Sequence, residues 1–130
     1  MMSIQIPAGC KKIGIRSFAG CASLGTCILP QNVVSISQEA FEGCTCLTDV
    51  GGQPFNVSTR AFAGCMNLKG IVVKGDVSPR CFEGCRNLEN LAFAGGTRLI
   101  GDAAFMNAVS LTNLIIPNGV EKIDSSAFQG

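Results

Sequence analysis

A chain of 130 residues fits one domain, taken here as 1–130. With 47% apolar and 15% charged residues it can bury a core rather than stay disordered. A net charge of +1 collects neither nucleic acid nor anionic lipid, and with no His the commonest general base and neutral metal ligand are missing.

The chain opens on Met1–Pro7, where Ile4 and Ile6 alternate with polar residues as a strand with one buried face does. This start has neither the basic region nor the apolar stretch of a signal peptide. No apolar run approaches the roughly 18 residues of a membrane span, so membrane insertion is not expected.

From there the chain repeats itself. Phenylalanine recurs at positions 18, 41, 62, 82, 105 and 128, spaced 23, 21, 20, 23 and 23 residues apart. Four of these open one tetrad: Phe18-Ala-Gly-Cys21, Phe41-Glu-Gly-Cys44, Phe62-Ala-Gly-Cys65 and Phe82-Glu-Gly-Cys85. The next copy drifts to Phe105-Met-Asn-Ala108. Six residues after each of the first five stands a leucine: Leu24, Leu47, Leu68, Leu88 and Leu111.

Each leucine starts a Leu-x-x-φ-x-φ strand, φ being apolar: Leu24/Cys27/Leu29, Leu68/Ile71/Val73, Leu88/Leu91/Phe93 and Leu111/Leu114/Ile116. Leu47/Val50/Gly52 is the weak copy. A second apolar column lies five residues before each Phe, at Ile13, Ile36, Val57, Val77, Ile100 and Ile123. Small residues precede Phe (Ser17, Ala40, Ala61, Cys81, Ala104, Ala127), where two backbones are expected to pass closely. Length varies only between the first strand and the second column, so that link is expected to be an outer loop. Glycine at 20, 43, 64 and 84, replaced once by Asn107, predicts a left-handed turn.

One such coil cannot cover its own apolar edge, but stacked coils can. The expected fold is a solenoid of parallel stacked strands, mostly β with short turns and little helix. It has about five full repeats plus partial ends. Those ends cut a repeat and show no polar cap, which reads as a segment of a longer array or as a unit that self-associates end to end.

The unit Leu-x-x-Leu-x-Ile-Pro-x-x-Val-x-x-Ile-x-x-x-Ala-Phe-x-Gly-Cys, clearest across Leu24–Cys46 and Leu111–Gly130, resembles the 23-residue repeat of BspA-like leucine-rich repeat proteins. The resemblance implies the leucine-rich repeat solenoid, a member of the α/β horseshoe class. It also implies a cell-surface or secreted setting and adhesion to a host-cell or matrix protein, with no catalytic residues. The coils Leu47–Asn67 and Leu68–Asn87 depart from the family length.

Cysteine is the one residue type that could carry chemistry. Seven of the eight replace apolar or small residues of their columns and read as a buried ladder of free thiols, with some disulfide bonding as the lesser alternative. Cys46 falls in a column otherwise Ser23, Asn67, Asn87 and Ser110, so it is the candidate exposed thiol. Neither the spacing Cys44-x-Cys46 nor any other feature makes a metal site. Free thiols and the missing leader favour the cytoplasm, against the surface habit that the resemblance implies.

A binding surface is expected on the outward positions of the first strand. One column reads Thr26, Asp49, Gly70, Asn90 and Asn113; the next reads Ile28, Gly51, Val72, Ala92 and Ile115. Apolar side chains on a solvent-facing sheet can mark an interface, although β-propensity alone could select them. Arg16, Glu39, Arg60 and Arg80, with Lys69 and Glu89, read as solubilising surface charge. No nucleophile–base pair, phosphate loop or paired carboxylates stand out, so neither an enzyme nor a cofactor is expected. The expected function is a non-catalytic protein-binding or adhesion module, with structural self-association as the alternative.

Overall fold

The computed structural model describes residues 2–112 and 114–130. Short parallel strands stack as a solenoid of about five turns, and no helix occurs among the described residues. In chain order the strands are β1 (Met2–Ser3), β2 (Lys12–Ile13), β3 (Leu24–Thr26), β4 (Ser35–Ile36) and β5 (Phe55–Val57). They continue with β6 (Gly70–Val77), β7 (Asn90–Phe93), β8 (Leu99–Ile100) and β9 (Lys122–Ile123).

The longer sheet has the order β2-β4-β5-β6-β8-β9, with β7 also paired to β6. Its rungs put Ile13 on Ile36, Ile36 on Val57, Val57 on Val77, Val77 on Ile100 and Ile100 on Ile123. The most continuous ladder therefore runs through the second apolar column. The first-strand face, where the binding surface is expected, is paired only in places. β1 joins β3, a single bridge joins Thr26 to Asp49, and β6 joins β7 over Gly70–Val73. β-Branched side chains occupy every rung of the second column, whereas Gly51, Gly52 and Gly70 interrupt the first.

Between the two strands the turn around each phenylalanine forms a ladder of its own. The Phe18 amide donates to the Ala40 carbonyl at 2.8 Å, Phe41 to Ala61 at 2.8 Å, Phe62 to Cys81 at 2.9 Å and Phe82 to Ala104 at 2.8 Å. That contact requires the small residue before each ring. The rings themselves stack with centroids 5.2–5.6 Å apart and planes within 10° of parallel, from Phe18 through to Phe128. Full burial of one such ring stabilises by about 1.5–3 kcal/mol, with offset stacking adding to it.

The glycine column adopts the expected left-handed turn, with φ between 75° and 77° at Gly20, Gly43, Gly64 and Gly84, and 64° at Asn107. A second left-handed column stands two residues before each Phe. Arg16, Glu39, Arg60, Arg80, Ala103 and Ser126 have φ between 56° and 62°. No glycine marks that column, so residue type gave no sign of it.

The two short coils depart from the expected outer loop. In the 20-residue coil the loop shrinks to a bulge, since β6 continues for eight residues from the first-strand position to Val77 with a left-handed Gly75 (φ 77°) and a register shift against β5. In the 21-residue coil the link bends through Gly51–Pro54, and the fully buried Phe55 supplies bulk to the core. Gln53 ties that bend to the preceding coil, donating from Nε2 to the carbonyls of Leu29 at 2.6 Å and Pro30 at 2.8 Å.

Candidate binding face

The first-strand side carries the residues expected to bind. Thr26, Asp49, Asn90 and Ala92 are exposed there, and Val72 is half-buried. Ile28 is 52% and Ile115 84% exposed, high values for side chains this apolar. Asn113 lies outside the described residues.

The structure sorts these positions into separate groups. Asp49, Val72, Asn90 and Ala92 come together around an open hollow of about 860 Å³ that Gly51, Gly52, Gly70 and Leu91 also line. Thr26 and Ile28 belong instead to a smaller hollow of about 390 Å³ with Ile4, Gln5 and Ile6. Ile115 lines neither. A Cβ at Gly51 would lie 3.7 Å from Ile28 Cγ2, so the apolar surface of Ile28 abuts the glycine rim of the larger hollow.

Glycine helps to keep the larger hollow open: a Cβ at Gly52 would meet nothing within 4 Å, while Gly51 and Gly70 sit where a Cβ would crowd Gln53 and Asn90. Asp49 shapes its wall by accepting the Gly51 amide on Oδ1 at 2.9 Å, a local turn that draws the chain out of a regular strand. Lys69 and Glu89 also line this hollow, and neither enters an ion pair among the described residues. Elsewhere opposite charges pair: Arg16 with Glu39 at 4.0 Å, Arg60 with Glu42 at 3.5 Å and Arg80 with Glu83 at 2.6 Å. Exposed pairs of this kind contribute little stability each.

Cysteine chemistry is largely sealed away. Cys27, Cys44, Cys65, Cys81 and Cys85 are buried and unbridged. Three of the column thiols donate across coils, from Cys44 Sγ to the Phe18 carbonyl at 3.0 Å, from Cys65 to Phe41 at 3.0 Å and from Cys85 to Phe62 at 3.1 Å. Cysteine is therefore more than a small filler in that column, since it gives a second donor, which Ala108 cannot, to a carbonyl that already accepts a backbone amide. Desolvation by burial raises the Cys27 and Cys44 thiols from 9.0 to about 11 and Cys85 to about 12, which keeps them protonated and unreactive.

Cys46 is half-buried, and so are Cys10 and Cys21. The expectation that all seven other cysteines would be buried is thus corrected at two positions. Cys21 meets a stacked thiol on one side only, at Cys44, which leaves its other side less covered.

A stack of Leu-x-x-φ-x-φ coils, helix-free among the described residues and with aligned phenylalanine, cysteine and isoleucine columns, defines a leucine-rich repeat solenoid. Six copies of the BspA type leucine rich repeat region match residues 1–77 and 55–130. The chain belongs to the BspA-type leucine-rich repeat family.

Solved structures agree in fold. A leucine rich cell surface protein from Faecalibacterium prausnitzii superposes with a TM-score of 0.88 at 28% identity, over 98% of this chain and 36% of that one. A leucine-rich repeat protein from Eubacterium ventriosum gives 0.77 at 22% identity, over 98% and 42%. One from Bacteroides ovatus gives 0.66 at 19% identity, over 98% and 43%. This chain therefore spans 36–43% of the length of these three solved proteins. No curated protein matches it. Among the described residues no helix is long and apolar enough to cross a membrane.

Proposed function

We propose that the chain is a non-catalytic, protein-binding segment that works in adhesion at a cell surface and presents its first-strand face to the partner. The observation that carries this reading is the apolar surface held open on that face, with Ile28 and Ile115 more than half exposed. Isolated apolar side chains on a surface are ordinary, but here Val72 and Ala92 line a glycine-edged depression whose rim Ile28 abuts. Membership in a repeat family built to display extended surfaces supports the same conclusion. The surface setting rests on the Faecalibacterium protein, which is described as a cell surface protein.

The test is binding of the purified chain to a panel of immobilised extracellular-matrix proteins and intact epithelial cells. Replacing Ile28, Val72 and Ile115 together by threonine should weaken the strongest interaction about tenfold or more, with the fold unchanged by circular dichroism. Unaltered binding by the triple variant, or no binding across the panel, would count against this face.

A further inference from the structure

The larger hollow, which reaches from Thr48 across β6 and β7 to Leu111 and Leu114, borders an interruption in the backbone ladder. Lys69 donates its amide to the Thr48 carbonyl at 3.2 Å, and beyond that point no backbone hydrogen bond joins Asp49–Gln53 to Gly70–Val72. The same stretch of β6 is fully paired on its other side, with Gly70, Ile71 and Val72 opposite Asn90, Leu91 and Ala92. In a parallel strand the peptide groups alternate between neighbours. Asn90 donates to Lys69, which assigns the amide and carbonyl of Ile71 to β7 and turns those of Gly70 toward the opening. The Val72 amide turns the same way. One rung further on the ladder resumes, where Phe55 pairs with Val73.

The cause of the interruption is local. Asp49 turns Gly51 inward, while Leu29 donates to Val50 at 3.0 Å and Gln53 holds Leu29 and Pro30. These contacts draw the segment toward the coil before it and away from β6. Gly51 and Gly52 then leave the vacated space empty.

We infer that this opening is a strand-docking groove, which takes an extended segment of a partner protein paired backbone to backbone with Gly70–Val72. The inference rests on the proposed protein-binding reading and adds the form of the ligand. Three features select that form. Amides and a carbonyl directed into a groove at the spacing of a strand match the hydrogen-bonding row of another extended backbone, which would displace the water on them. The hollow of about 860 Å³ opens from this gap over β6 and β7 as far as Leu114, so a segment of a few residues can enter it from the outer face. Its side walls at Val72, Leu91 and Ala92 would receive alternate apolar side chains of modest size. Lys69 and Glu89, free of ion pairs among the described residues, stand where charges of opposite sign on the segment would fix its direction.

Gly52 offers a clean perturbation. Its φ lies outside the left-handed range and a Cβ there would meet nothing within 4 Å, so Gly52→Val is compatible with the backbone while filling the groove. The experiment pans a random ten-residue peptide display library on the immobilised chain, then measures synthetic versions of the recovered peptides by titration. Two losses are expected, each of about tenfold or more: on Gly52→Val, and on N-methylation of alternate peptide amides in the wild-type complex. A thermal midpoint matching the wild type certifies the variant, and the N-methyl series decides alone if the variant does not fold.

Recovery of no peptide, equal affinity for Gly52→Val, or indifference to N-methylation would each overturn the inference. A dimer lost in Gly52→Val with no peptide recovered would assign the groove to a second copy of the chain instead, and would overturn it too. Peptides that ignore Gly52→Val but fail on the Ile28/Val72/Ile115 triple variant would leave the broader binding face standing and remove only the groove.

Discussion

Phe62 occupies the middle of the ring column, fully buried, 5.2 Å from the Phe41 centroid on one side and 5.6 Å from Phe82 on the other. Phe62→Ala removes a buried aromatic and two ring contacts at once. Truncating a core Phe costs about 3–5 kcal/mol. The upper part of that range, about 4–5 kcal/mol, applies here because each stacked pair contributes about 0.5–1.5 kcal/mol beyond burial. Phe128 provides the internal comparison: it is 39% exposed and stacks only on Phe105, at 5.2 Å. Phe128→Ala should cost about 1–2 kcal/mol. Urea denaturation followed by far-ultraviolet circular dichroism measures both. Loss at Phe62 should also blunt cooperativity, because coils communicate only with their neighbours and the variant weakens the central junction. Equal costs at the two positions, or a Phe62 cost below about 2 kcal/mol, would refute the stacked-column explanation of stability.

Three further outcomes follow from the same geometry. Gly64 has φ 76° with only ordinary contacts around a would-be Cβ, so Gly64→Ala should destabilise by about 1–2 kcal/mol through handedness alone. Gly64→Asn should cost less, as Asn107 already holds the equivalent position at φ 64°; equal urea midpoints for the two variants would contradict this. Thiol labelling of the native chain should modify Cys10, Cys21 and Cys46 first, with the five buried cysteines reacting only in denaturant. Fast labelling of Cys65 or Cys81 would show the core to be open.

Stability should also fall in alkali. Burial raises the folded thiols, so above 9.0 the unfolded chain releases protons that the folded one retains. The decline runs from there to about 11 for Cys27 and Cys44 and about 12 for Cys85. The chain has no tyrosine to ionise in the same window. A Cys85→Ala variant should lose less stability between pH ~8 and pH ~10 than the wild type, and a parallel decline in both would count against the buried thiol as the cause.

The repeat itself was legible because it is written in side chains that stack on their own kind. Phe, Ile and Cys at fixed offsets locate the core, and Gly with its Asn107 replacement locates the left-handed turn. The second left-handed column was hidden, since Arg16, Glu39, Arg60 and Arg80 have no residue preference that announces positive φ. Backbone contacts between turns impose it there instead: Arg16 donates to Gln38 and Arg80 to Asp102, at 3.0 and 2.9 Å. The two short coils were legible as departures but not in their form. Nothing local distinguishes a strand that continues through Gly75 from a loop, and the burial of Phe55 depends on the neighbouring coils.

The columns of the proposed binding face were legible in the sequence, yet the hollow was not. It arises from a missing rung, and a missing rung depends on where Asp49 and Gln53 direct the chain. The same sequence pattern that names Val72 and Ala92 as outward-facing says nothing of the gap beside them.

The most direct test of the whole account is ring-to-ring proton contact in solution, read by nuclear Overhauser spectra of the chain with phenylalanine selectively labelled. Centroids 5.2 and 5.6 Å apart should connect Phe41 to Phe62 and Phe62 to Phe82, across 21 and 20 residues of sequence. A Phe62 ring in contact only with residues near it in sequence would contradict in-register stacking, and with it the face and groove that stacking creates.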